Sequence, residues 1–159
     1  MGLSGLLQAL FAVMGGMGLA SQVGVQVAWR EGMQFVARGL SSQASFIMDA
    51  SEEHGGANQG VRPTEALLAA LAGCSGMDVV SILRKMRQQV TGLTINVTGE
   101  RAEAYPRSIE EATVEYVVRG HQVSEAAVAR AIELSRSKYC GVMASLKTRI
   151  STSYRVEEE

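Results

Sequence analysis

Eighteen consecutive residues, Ala66 to Leu83, carry one charged side chain, Asp78, and two hydroxyls, Ser75 and Ser81. Pro63 or Thr64 opens this stretch, with proline permitted in a first helical turn and threonine able to cap one, so the pattern predicts a helix from Pro63 to about Gln89. A helix that is apolar nearly all round has to be buried on most of its sides. It is therefore expected to be the spine of the fold, with the other elements laid against it.

Those other elements are legible from their periods. Val23, Val25 and Val27 alternate with Gly24, Gln26 and Ala28, a half-buried strand over Val23 to Trp29, and Met33 to Ala37 and Ala44 to Met48 read as two more. Arg30-Glu31-Gly32 and Gly39-Leu40-Ser41-Ser42 join them. Ser51 to Gly60 is a loop without a phosphate-binding pattern. Beyond the helix come strands over Leu93 to Arg101 and Ile109 to Arg119, connected through Tyr105-Pro106. Ser124 caps a helix over Glu125 to Ser137 with a buried stripe of Ala127, Val128, Ala131 and Leu134. A further helical turn begins near Cys140, and a last strand covers Thr148 to Val156. Strands, helix, strands, helix, strand is an α+β order with mainly antiparallel pairing.

Charge adds a constraint. Only 19% of the 159 residues are charged, 15 basic against 16 acidic, and the first is Arg30. That share is below the roughly 25% usual for soluble domains, so part of the surface is expected to be covered, most simply by a second copy of the chain. Scattered basic residues at a net charge of −1 make no phosphate-neutralising stripe, so no nucleic-acid partner is expected. The uncharged start lacks the basic region of a secretory leader and the flanking basic and aromatic residues of a membrane span. Leu3, Leu6, Leu7, Leu10, Val13, Met14 and Met17 instead form one stripe at helical period. The expected division is an amphipathic helix over 1–22 that packs in a dimer, then one domain over 23–159, with no membrane partner and a cytoplasmic location.

Cys74 and Cys140 are the two cysteines, 66 positions apart. Two buried, inert thiols are one reading. A permanent disulfide fits poorly with a chain lacking a secretory leader. His54 and His121 have no ligand spacing with either cysteine, so neither a metal nor another cofactor is expected.

The wording around the cysteines resembles a known family. Arg62-Pro63-Thr64-Glu65-Ala66-Leu67-Leu68 leading to Gly73-Cys74-Ser75-Gly76-Met77-Asp78-Val79-Val80-Ser81-Ile82-Leu83 is similar to the central helix of the OsmC/Ohr proteins, the osmotically inducible and organic-hydroperoxide-resistance proteins. Gly99-Glu100-Arg101, the Pro106 turn, Arg119-Gly120 and Lys138-Tyr139-Cys140 come in the family's order, and the resemblance covers Val23 to Val156. Its Cys-Ser-x-x-Asp-Val-Val-Ser-Ile-Leu form is closest to the less characterised OsmC-like branch. The resemblance implies an intertwined homodimer with mainly antiparallel sheets around a long central helix and active sites at the subunit interface. It also implies a thiol peroxidase acting on organic hydroperoxides. Cys74 corresponds to the peroxidatic thiol, Cys140 to the resolving thiol, and an external dithiol of lipoyl type to the reductant.

The resemblance asks for an arginine beside Cys74 and a glutamate that fixes it. Arg30, in a turn similar to the family's Arg-Asp-Gly, is the candidate cation, with Arg38 and Arg62 as alternatives or a solvated turn arginine as the plain reading. Glu65 is the candidate glutamate, although Thr64 occupies the place directly after the proline; a first-turn carboxylate favoured by the helix dipole is the other reading. On a continuous helix Glu65 and Cys74 lie on opposite faces about 13 Å apart along the axis at about 1.5 Å per residue, so either Pro63 to Glu65 lies outside the helix or Glu65 acts by gripping an arginine that reaches across from its own or the partner chain. Asp78, four residues after Cys74, shares its face and opposes thiolate formation. A non-enzymatic binding or stress-response domain, or a thiol redox sensor, is the alternative function. Met33, Phe35, Leu71, Met77 and Met143 are expected either to line an apolar pocket by Cys74 or to be core.

Overall fold

The structure is a computed structural model that describes residues 22–159. The helix expected over 1–22 therefore lies, except for its last residue, outside the described residues. The fold has two three-stranded sheets and a long helix packed on the second of them. The first sheet is a meander of β1 (Val25–Glu31), β2 (Gln34–Gly39) and β3 (Ser45–Met48) in the order β1-β2-β3, all antiparallel. Gly32, at φ +51, makes the β1–β2 turn, a backbone conformation that glycine adopts without a Cβ penalty. The helix α1 (Pro63–Lys85) then leads to β4 (Gln89–Arg101), β5 (Ile109–His121), α2 (Glu125–Leu134), α3 (Gly141–Ser145) and β6 (Arg149–Glu158). The second sheet has the order β4-β5-β6. Its first pair is antiparallel, but β6 runs parallel to β5, a departure from all-antiparallel pairing that arises because α2 and α3 form the crossover between the two strands.

The core forms where α1 and α2 cover the second sheet. Leu71, Ser75, Val79, Ile82 and Leu83 recur at three and four residues and make the buried face of α1. They meet Val114, Tyr116 and Val118, the inward positions of β5. Fully burying an apolar side chain such as Leu71 or Leu83 stabilises the fold by about 1.5–3 kcal/mol. Gly76 lets α1 come close to the sheet: a Cβ there would stand 2.7 Å from Ile95 Cδ1. From α2 the core receives Val128, Ala131 and Ile132, with Ala127 and Leu134 packed at its margin. Ser124 caps α2 as expected, its side chain accepting from the Ala127 N–H at 3.4 Å.

Two expectations about burial are corrected. The helix α1 is covered on one face rather than on most sides, leaving Met77 at 76% and Leu67 at 40% exposure. It is long and apolar enough to cross a membrane, yet its buried face is packed on the sheet. Strand β1, read as half-buried, is exposed at all seven positions, because among the described residues nothing covers it. Trp29, Val25, Val27 and Phe46 stand open on it. The alternation was real, but the surface it would bury against is not supplied by the described residues.

Candidate functional site

Three elements deliver side chains to one point. Cys74 and Asp78 lie one turn apart on α1, so both face the same way. Cys140 arrives from the other side of the site, after α2, because the chain continues past Leu134 in a wide π turn, Ser135–Tyr139, closed by the Cys140 N–H donating to the Ser135 carbonyl at 2.8 Å. Such turns are rare and recur at functional sites. The sulfurs of Cys74 and Cys140 and a carboxylate oxygen of Asp78 all lie within 4.8 Å of one another. Both cysteines are free thiols, Cys74 half-buried and Cys140 buried. Burial pushes the Cys140 thiol up from its ordinary pKa; the Met143 N–H, which donates to Cys140 Sγ at 3.4 Å, works against this, and the hydrogen bond with Cys74 adds to it.

A buried chain of hydroxyls supports the carboxylate. Ser135 Oγ donates to Asp78 Oδ2 at 3.0 Å, Ser75 Oγ lies 3.1 Å from Ser135 Oγ, and Ser75 is in turn hydrogen-bonded to the Tyr116 hydroxyl. Ser75, Ser135 and Tyr116 are all at 0% exposure. Burial raises the Tyr116 pKa, so this phenol stays a neutral partner for Ser75. Sequence reasoning missed Ser135, Ser75 and Tyr116 as members of the site. The signal for Ser75 was its place beside Cys74 and three residues before Asp78. Ser135 was hidden because a 3.6-residue period does not anticipate the π turn.

The other candidate residues are not brought to the thiols within one chain. Arg30 is exposed in β1, where the register with β2 shifts between Trp29 and Glu31. Arg38 pairs with Gln26 and Ser45 inside the first sheet. Arg62 donates to the carbonyls of Asp49 and Gly60, both at 3.1 Å, and to the Asn58 side chain. Glu65 lies within α1, not before it, and its Oε2 accepts the Arg62 backbone N–H at 2.8 Å, an N-terminal capping role. Among the described residues no ion pair involves Asp78. The five apolar candidates are also dispersed. Met33 and Phe35 line a groove of 610 Å³ that also reaches Arg62 and Arg101, and Met77 lines one of 790 Å³ between α1 and β4. Leu71 and Met143 are core.

One more carboxylate organises the neighbourhood of the helix start. Asp49, 2% exposed, accepts from the N–H groups of Ala50, Ala57 and Gln59 and so closes the loop of residues 50–60 onto β3. These bonds, that of Gln59 foremost, hold its carboxyl below the usual carboxylate range.

A two-sheet α+β fold in which a long helix and a post-helical turn present a free thiol pair defines a dithiol protein of one architecture. A family profile described as OsmC-like protein matches residues 55–155, and the chain belongs to that family. It is 36% identical over 132 residues to Protein YhfA of Escherichia coli K12, covering 83% of this chain and 95% of that one. A crystal structure of a hypothetical protein from Aquifex aeolicus is 31% identical with a TM-score of 0.76, covering 88% of this chain and 99% of the other. An organic hydroperoxide resistance protein from Elizabethkingia anophelis shares the fold at 13% identity and a TM-score of 0.60, covering 90% and 100%.

Proposed function

We propose that the protein is a thiol peroxidase for organic hydroperoxides, working as a homodimer and recycled by an external dithiol. The observation that carries this reading is the pair of free thiols within 4.8 Å, the one on α1 half-buried and the other buried. The thiolate of Cys74 attacks the distal peroxide oxygen; the O–O bond breaks, the alkoxide takes a proton and leaves as alcohol, and Cys74 holds a sulfenic acid. Cys140, whose raised pKa keeps it a thiol until then, condenses with it. A disulfide forms and water leaves. A lipoyl-type dithiol then reduces the disulfide, which suits a cytoplasmic location.

The dimer supplies what one chain lacks. The apolar face of the first sheet and the groove along α1 are both open, and contiguous exposed apolar surface marks an interaction site. In this reading the first sheet of each subunit lies over α1 of the other, where Arg30 would meet the partner's thiol pair and offset Asp78, with Glu65 steadying it. A guanidinium suits this role because it stays charged and its fork can hold a thiolate and a carboxylate together.

The test is consumption of an alkyl hydroperoxide with dihydrolipoamide as reductant. Turnover by the native chain that is lost in Cys74→Ser supports the reading, with a trappable sulfenic acid in Cys140→Ser. Equal, background rates for native protein and Cys74→Ser would sink it. A second reading, a non-catalytic OsmC-like domain, is favoured by Asp78, a carboxylate beside both sulfurs with no ion-pair partner among the described residues. It predicts a Cys74 that alkylates slowly at neutral pH.

A further inference from the structure

Cys74, Asp78 and Cys140 together form more than a redox pair. Three groups that each become anionic on losing a proton share a space in which their ligating atoms all lie within 4.8 Å. We propose that in the reduced protein this triad binds one thiophilic divalent cation of the zinc class through Cys74 Sγ, Cys140 Sγ and a carboxylate oxygen of Asp78. The fourth position of the tetrahedron is left to water.

The geometry asks for little movement. Zinc bonds of about 2.3 Å to sulfur and about 2.0–2.2 Å to carboxylate oxygen set the corners of a tetrahedron roughly 3.6–3.8 Å apart. Side-chain rotation from a spread of at most 4.8 Å reaches that. The carboxylate is already anchored, since Ser135 holds Oδ2 at 3.0 Å and, among the described residues, Oδ1 has no hydrogen-bond partner. Ser135 is itself fixed by Ser75 and Tyr116, the kind of outer support that positions ligands in built metal sites. Two sulfur ligands select zinc-class ions over magnesium or calcium. Binding is balanced by two protons: the thiols of Cys74 and Cys140 release them to solvent as the metal–sulfur bonds form.

A disulfide removes two of the three ligands, so bound metal and oxidised protein exclude one another. The metal site stands on the triad alone; that it holds the thiols inactive until metal is withdrawn rests on the peroxidase reading.

The experiment is titration of the reduced, chelator-stripped protein with zinc against the chromophoric chelator 4-(2-pyridylazo)resorcinol, with proton release measured in weak buffer. The expected result is one zinc and two protons per chain. Asp78→Asn should bind at least about tenfold more weakly. Cys74→Ser, Cys140→Ser and the diamide-oxidised native chain should lose the site; diamide's azo bond takes up the two electrons and two protons given up by the thiols. The oxidised native chain needs no substitution, so misfolding of a variant does not obscure the outcome. A double variant His54→Asn, His121→Asn should keep the site. No competition by the reduced native protein, equal uptake by the oxidised protein, or loss of uptake in the double histidine variant would overturn the proposal. Zinc should also suppress hydroperoxide turnover, restored by chelator. Absence of any turnover with intact zinc binding would count against the peroxidase reading and leave the metal site standing.

Discussion

Ser135 is the residue whose removal tests the architecture of the site most directly. Its hydroxyl donates to Asp78 Oδ2 at 3.0 Å and lies 3.1 Å from Ser75 Oγ, wholly shielded from solvent. Ser135→Ala removes one neutral hydrogen bond, about 1 kcal/mol, and one to a carboxylate, about 1.5–3 kcal/mol. Asp78 is half-buried, so water recovers part of the second, and Ser75 keeps Tyr116 as a partner. The expected loss is therefore about 1.5–3 kcal/mol in urea unfolding of the reduced protein at fixed concentration. A double-mutant cycle isolates the cause. If Ser135 acts through the carboxylate, its effect shrinks by about 1 kcal/mol or more in an Asp78→Ala background, because the partner is already gone. A Ser135→Ala effect below about 0.5 kcal/mol, or strict additivity with Asp78→Ala, would refute the reasoning.

Three further outcomes are expected. Cys140 favours its protonated form in the fold, so its contribution to stability is complete below the ordinary thiol pKa of 9.0 and is lost as pH rises through the raised value. In Cys74→Ser, alkylation of Cys140 should accordingly be slow at neutral pH and accelerate only in alkali; neutral labelling as fast as in the urea-unfolded chain would contradict it. Asp49 has the opposite sign: its lowered carboxyl pKa stabilises the fold above the ordinary value of 3.8, and this is lost as pH falls through the lowered one. Asp49→Asn should speed amide exchange at Ala57 and Gln59, and unchanged exchange would show that other bonds hold the loop. Trp29→Glu, placed on the open face of β1 where Trp29 is 66% exposed, should shift the proposed dimer to monomer in sedimentation while leaving the monomer folded, and an intact dimer would remove that face from the proposed interface.

The order of elements was legible because each carried its own period. The valines of β1, the three-and-four spacing on α1 and the Ser124 cap each pointed to the structure found. The nearness of Asp78 to Cys74 came from four residues on a helix and is seen. Periods alone carry nothing of tertiary meeting. That Cys140 would come within reach of Cys74 was implied only by the family resemblance, since 66 positions of separation carry no local geometry. The parallel pairing of β6 is invisible in a strand's composition. Burial was over-read on α1 and β1, where an apolar surface marks the need for cover but not which chain provides it. Glu65 illustrates a different limit, because a carboxylate three residues after Arg62 serves the helix end whatever else it does.

The π turn at Ser135–Tyr139 has a consequence counted in single residues. It fits one more residue into the last loop of helix than an α-turn holds, which turns Ser135 inward and lets Cys140 leave toward α1. Deleting one residue from Arg136 to Lys138 would relax the turn to ordinary helix and rotate the downstream chain by about 100°. The hydrophobic contacts of α2 precede the turn, but Cys140 and Met143 after it also belong to the core, so the second thiol would swing away from the first at a cost in packing on that side. Thiol pairing in this chain thus hangs on chain length at one point, and the same point sets how the segment after α2 seats Met143 in the core.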